Sequence, residues 1–129
     1  MTKALLLKQP EKMMNIMEWI TVCRSDDIVE SLGVGALVAG RQVAVFKVEG
    51  KFYAIDNFDP FSRANVLSRG LVGDLKGELV VASPIYKQHF SLKTGHCLED
   101  ESVSVTAYAV RVQGGLVQVA LNSSVEQAA

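Results

Sequence analysis

The chain has 129 residues, 49% of them hydrophobic and 21% charged, with a formal net charge of -1. That length fits one domain with short tails, large enough to bury a core without covalent staples. The composition excludes a disordered chain, and the charge balance lacks the basic stripe of a nucleic-acid binder. Two cysteines, Cys23 and Cys97, lie far apart with no Cys-x-x-Cys pair. Both are expected to be free thiols rather than parts of a disulfide framework. No stretch approaches the length of a transmembrane helix. Leu5, Leu6 and Leu7 make too short an apolar run for a secretory signal, so the cytoplasm is the expected location.

Residues 1–17 form an expected flexible extension, and organised patterning begins at Glu18. Trp19 to Val22 predicts a strand. Ser25 is placed to cap a short helical turn over Asp26 to Ser31, which Gly33 and Gly35 then break. Ala36 to Ala39, Gln42 to Val48 and Lys51 to Asp56 predict an antiparallel meander, with turns at Gly40-Arg41 and Glu49-Gly50. Residues 56–77 predict a long irregular excursion containing Pro60, Gly70, Gly73 and Gly77. Loops of that length in small domains usually serve a function. Glu78 to Ala82 predicts a strongly apolar strand, and Pro84 imposes an extended or turn geometry on Ser83. His89 to Leu92 predicts a short strand closed by Lys93-Thr94-Gly95. The alternation from Ser102 to Val112 predicts one continuous strand. Gln113-Gly114-Gly115 is a turn signal, Leu116 to Leu121 is the last strand, and residues 122–129 are a polar tail. The sum is a single all-β domain over residues 18–121, built of antiparallel sheets with excursion loops at 57–77 and 83–88.

Two segments in and beside those loops stand out. One is Asp59-Pro60-Phe61-Ser62-Arg63-Ala64. The other is Ser83-Pro84-Ile85-Tyr86-Lys87-Gln88-His89-Phe90, followed by Thr94-Gly95. The layout resembles the two cluster-binding loops of a Rieske-type ferredoxin domain. There, Cys-x-His and Cys-x-x-His together give two thiolates to one iron and two imidazoles to the other. In that frame the cysteine positions fall on Asp59 and Ser83, and the histidine positions on Phe61 and Tyr86. Pro60, Ala64, Pro84, Phe90, Leu92, Thr94 and Gly95 keep the family's places, whereas Lys87 stands where glycine is usual. Phe61 cannot bind iron, and the oxygens of Asp59, Ser83 and Tyr86 suit a hard cation rather than a sulfide-bridged cluster. These four are vestigial ligand positions, and no cofactor or metal is expected in this chain.

This loss, in this frame, is similar to the small subunit of the assimilatory NAD(P)H-dependent nitrite reductase, the NirD family, over roughly Trp19 to Leu121. The resemblance implies a Rieske-like fold and a large partner subunit. That partner would carry FAD, an iron–sulfur cluster and sirohaem, and reduce nitrite to ammonia in nitrate assimilation. This chain would be a non-redox subunit that binds and supports it, with no catalytic residue of its own. Two other readings stand beside it: an electron-transfer Rieske ferredoxin with an unusual site, and a free-standing interaction module for another oxidoreductase.

The residues themselves carry further expectations. Asp59 should cap its own turn beside Pro60, and Ser83 should satisfy a backbone group beside Pro84. Phe61 and Tyr86 are either plugs or exposed aromatic anchors for a partner. Arg63, Arg69, Lys87 and Lys93 would make the loop tip basic if the loops meet. The candidate partner contacts are Phe61, Arg63, Arg69, Tyr86 and Lys87. His89 should be partly buried. His96 and Cys97 are adjacent and should point apart. Glu99-Asp100-Glu101 reads as a solvated run, and Gly33-x-Gly35 lacks a dinucleotide-binding context.

Overall fold

A computed structural model describes residues 18–121, and the expected extension 1–17 and tail 122–129 lie outside them. Strand β1 (Glu18–Arg24) leads through a 3-10 turn (Ser25–Asp27) to β2 (Gly33–Val38), β3 (Arg41–Val48) and β4 (Lys51–Asp56). Two short strands follow, β5 (Phe58–Asp59) and β6 (Ala64–Asn65), then a second 3-10 turn (Leu67–Arg69). The chain continues through β7 (Leu71–Leu75), β8 (Glu78–Ala82), β9 (His89–Ser91), β10 (Ala107–Tyr108), β11 (Val110–Gln113) and β12 (Leu116–Leu121). All pairings are antiparallel: β1-β12-β11, β10-β4-β3-β2, β7-β8-β9 and the small β5-β6 ribbon. Among the described residues no helix is long and apolar enough to cross a membrane.

Four hairpins form where two consecutive residues have positive φ: Ala39-Gly40, Glu49-Gly50, Lys76-Gly77 and Gly114-Gly115. Positive φ at both centres is the type I′ pattern, whose twist matches that of the paired strands. The first of these turns is Ala39-Gly40, one residue earlier than the expected Gly40-Arg41, because Arg41 pairs with Val38.

Strand β3 is buried on both faces, and this makes two cores. Ala44, Phe46 and Val48 face one cluster, with Val81 of β8, Phe90 of β9, Leu67, Leu92, Cys97 and Val105. Val43 and Val45 face the other, with Val117 and Val119 of β12, Val38 and Ile28. The alternation follows from the two-residue period of a strand. The β10-β4-β3-β2 sheet therefore lies between the other two large sheets, and the excursion loops belong to the Phe46–Phe90 side.

Three local expectations are corrected. Ser25 lies inside a three-residue 3-10 turn, with Arg24 as its N-cap, and the Asp27 carboxylate accepts the Arg24 N–H at 3.3 Å. The turn does not run on to Ser31 because Ile28 is extended and buried in the second core. Gly33 and Gly35 lie within β2 and do not break it. A Cβ at Gly33 would stand 2.4 Å from the Ser68 carbonyl and 2.6 Å from the Phe46 ring. The glycine admits the excursion loop to close range. The segment 102–112 is not one strand. Val103 and Val105 donate their N–H groups to the Asp100 and Gly95 carbonyls, and β10 and β11 then join different sheets.

Candidate functional site

Loop one begins where β4 ends, and Asn57 anchors it. This buried side chain accepts the Ser68 N–H at 2.7 Å, while its backbone carbonyl accepts the Leu67 N–H. The region expected to be irregular, 56–77, thus holds β5, β6, a 3-10 turn and β7.

The two ligand-loop segments are copies of one turn. In each, the first residue's carbonyl accepts the N–H four residues on: Asp59 from Arg63 at 2.6 Å, and Ser83 from Lys87 at 3.1 Å. The first residue's side chain accepts the N–H two residues on: Asp59 from Phe61 at 2.9 Å, and Ser83 from Ile85 at 3.3 Å. A proline fills the second position of each, and the fifth is left-handed, with φ of 62° at Arg63 and 71° at Lys87. The expected self-capping by Asp59 and Ser83 is what the bonds show. The third turn, Ser91–Gly95, repeats the plan: Gly95 N–H to Ser91 O at 2.8 Å, Lys93 and Thr94 N–H to Ser91 Oγ at 3.2 Å, and φ of 80° at Gly95.

What ties the first two turns together is a bond between the old cysteine positions. Asp59 Oδ2 accepts from Ser83 Oγ at 2.5 Å and from Ser62 Oγ at 2.9 Å. Asp59 and Ser83 are both 0% exposed. A buried carboxylate with no cation beside it is costly unless donors surround it. Here one amide and two hydroxyls do so, through the Phe61 N–H and the Ser62 and Ser83 hydroxyls. Pro60 and Pro84 point to local chain reversal beside Asp59 and Ser83, but not to the meeting of these two residues, 24 apart.

The histidine positions diverge. Phe61 is half-buried, packs against the first core and tilts its ring onto Phe90 with centroids 6.1 Å apart. Tyr86 is 60% exposed. Arg63, Arg69, Lys87 and Lys93 are all exposed. The Asp59–Ser83 bond joins the turns that carry Arg63 and Lys87, whereas Arg69 follows on the second 3-10 turn and Lys93 on the third five-residue turn.

An iron–sulfur cluster does not fit these residues. The thiolate positions hold two oxygens in direct contact, and one imidazole position holds a phenyl ring packed on Phe90. Among the described residues no group of three or more His, Cys, Asp or Glu could hold a metal.

Below the second turn, Glu99 grips the start of β9. It accepts the His89 N–H at 2.8 Å, meets His89 Nδ1 at 2.6 Å and takes the Cys97 thiol at 3.7 Å. Glu99 is therefore more than part of a solvated run. Burial works to raise its pKa, but the His89 bonds outweigh that and hold the carboxyl below its ordinary range. Burial, the largest cause, pushes the Cys97 thiol up, so it is not an activated nucleophile. Neighbouring His96 is exposed while Cys97 is buried, as expected for adjacent residues on extended chain. A lowered carboxyl pKa in the fold adds stability above the unfolded value, and this is lost as pH falls through the folded value. Glu99→Gln should lower urea resistance slightly at neutral pH, and the gap from wild type should close in acid.

Residues 18–120 match the model of the Rieske-like [2Fe-2S] domain family. A nitrite reductase (NADH) small subunit from Salmonella typhimurium is 49% identical over 104 residues, 79% of this chain and 96% of that one. The solution structure of the Escherichia coli protein NirD superposes with a TM-score of 0.77 at 45% identity, covering 82% of this chain and 98% of that chain. A nitrite reductase [NAD(P)H] large subunit from Klebsiella oxytoca is 44% identical over 101 residues, 78% of this chain but 11% of that one. The chain belongs to the Rieske-like domain family and, within it, to the small subunits of nitrite reductase.

Proposed function

We propose that this chain is the non-redox small subunit of a cytoplasmic NAD(P)H-dependent nitrite reductase, binding and supporting a large subunit. The Asp59–Ser83 bond carries the proposal: where an electron-transfer Rieske domain needs thiolates, this chain closes its loops with oxygen. On this reading FAD, the iron–sulfur cluster and sirohaem belong to the large subunit, along with nitrite reduction itself. The Klebsiella oxytoca relative supports the pairing, since a large-subunit chain there contains a domain like this one. Contact through Phe61, Arg63, Arg69, Tyr86 and Lys87 is part of the proposal, with Phe61 as the half-buried floor. No nucleic acid and no membrane is required.

The test is co-purification of the tagged chain from its host, with nitrite-dependent NAD(P)H oxidation measured with and without it. The expected result is a large flavin and sirohaem protein in the eluate, and oxidation that rises when the small chain is returned. The purified chain should contain no iron and no visible charge-transfer bands. Stoichiometric iron with those bands would overturn the reading in favour of a Rieske ferredoxin. Recovery of a different oxidoreductase would favour an interaction module.

A further inference from the structure

We infer that the twin turns form a preorganised docking tip for an apolar, acid-rimmed surface on the large nitrite reductase chain, which rests on the proposed function above. The first observation is conformational. Arg63 and Lys87 occupy the left-handed fifth positions of their turns, where glycine is better tolerated. The third turn does carry glycine there, at Gly95. Ala39, Glu49 and Lys76 also have positive φ, but each precedes a glycine in a two-residue hairpin turn that requires it, and Ser31, with φ of 67°, lies in the turn closed by the Leu32 N–H on the Val29 carbonyl. Among the described residues, the side chains of Arg63, Arg69 and Lys87 make no ion pair, hydrogen bond or ring contact. The backbone bonds that close the two turns hold both left-handed positions, and among the described residues neither cation has a side-chain partner, which leaves both charges available to a partner chain.

The second observation is the neighbouring surface. Ile85 is 45% exposed and Tyr86 60%, beside Lys87 and tied to the Arg63 turn through Asp59 and Ser83. Two apolar side chains in that position suit a pocket that excludes water, and unpaired cations beside them suit carboxylates. The third observation is rigidity. Each turn is closed by its own backbone bond and both are joined by the buried Asp59–Ser83 bond, so little ordering is left to occur on binding. The occupant is the large chain, because the Klebsiella oxytoca relative carries such a domain within a large subunit.

The experiment titrates the full-length chain against the purified large nitrite reductase chain of the same host, at low and high salt. Lys87→Asn and Arg63→Asn keep a residue that tolerates the left-handed turn and remove the charge. Tyr86→Ala removes the anchor. Lys51→Ala is the control, because Lys51 is exposed at the end of β4 opposite loop one. Each tip variant should keep or raise the melting temperature and weaken binding by roughly tenfold. The asparagine variants should also flatten the salt dependence, and Lys51→Ala should bind as wild type does. Unchanged binding by all tip variants, or loss with the control alone, overturns the docking tip while the small-subunit reading stands. Failure of wild type to bind the large chain overturns that reading, and the tip with it.

Discussion

Asp59→Ala should be the most damaging single change in the first two turns, lowering stability by about 4 kcal/mol. For a domain of this size that corresponds to a fall of roughly 15–30 °C in melting temperature. The variant leaves the Phe61 N–H and the Ser62 and Ser83 hydroxyls without their acceptor, and the Ser83 site is fully buried. Unsatisfied buried donors cost more than a bond contributes when made. Asp59→Asn should lose less, about 1–2 kcal/mol. It keeps an oxygen for Phe61 and asks the hydroxyls to turn and accept. Ser83→Ala should fall between wild type and Asp59→Ala, and the double variant should be less damaging than the sum, because the two share one bond. Calorimetry gives the melting shifts, and amide exchange over 59–63 and 83–87 locates the loosening. A loss below about 1 kcal/mol for Asp59→Ala would mean each turn stands alone, against this expectation.

In a Rieske domain iron staples two loops through thiolates. In this chain a carboxylate and a hydroxyl do that with one short bond, and a phenyl ring fills one histidine position by packing on Phe90. The metal site has become a piece of ordinary core at its base. Its rim, with Ile85, Tyr86 and Lys87, stays exposed. With the proposed docking, stability and contact would rest on different residues of the same two turns. The tip can therefore be altered without undoing the fold, whereas Asp59 cannot.

Much of this was legible beforehand, and the exceptions have physical causes. The later hairpins were readable because Glu49-Gly50 and Gly114-Gly115 supply the positive φ that tight turns require. Strand β7 was hidden because Gly73 and Asp74 are poor strand formers, and its place is set by pairing with apolar β8. The alternation over 102–106 looked like a strand because Val103 and Val105 do face inward. Their N–H groups nevertheless go to nearby loops, and hydrophobic period alone does not say where backbone bonds go. The ligand positions follow from the resemblance to the Rieske loops, which Pro60, Ala64, Pro84, Phe90 and Thr94-Gly95 carry. The bond between them does not, since spacing along a chain carries no information on which side chains converge across 24 residues.

The second large effect is expected at the third turn. Gly95→Ala should cost about 4 kcal/mol or more, leaving the domain largely unfolded or melting far below wild type. Three features compound. Gly95 has φ of 80°, which disfavours any side chain. An added Cβ would sit 2.0 Å from the Val105 carbonyl oxygen, a backbone atom that cannot swing aside as a side-chain tip could. The Gly95 carbonyl also accepts the Val105 N–H at 2.8 Å, so moving that segment breaks a bond and lifts Val105 out of the core beside Phe90. The same left-handed position in the first turn tolerates Arg63 and in the second Lys87, both exposed. One turn geometry therefore differs in what it admits: glycine alone where the turn abuts Val105, and a side chain where it meets solvent. Urea unfolding of Gly95→Ala beside Lys87→Gly tests this directly. The first should be strongly destabilised and the second as stable as wild type or more so. Similar, small effects for both would show that Val105 can yield, and that the third turn is not pinned as the contacts imply.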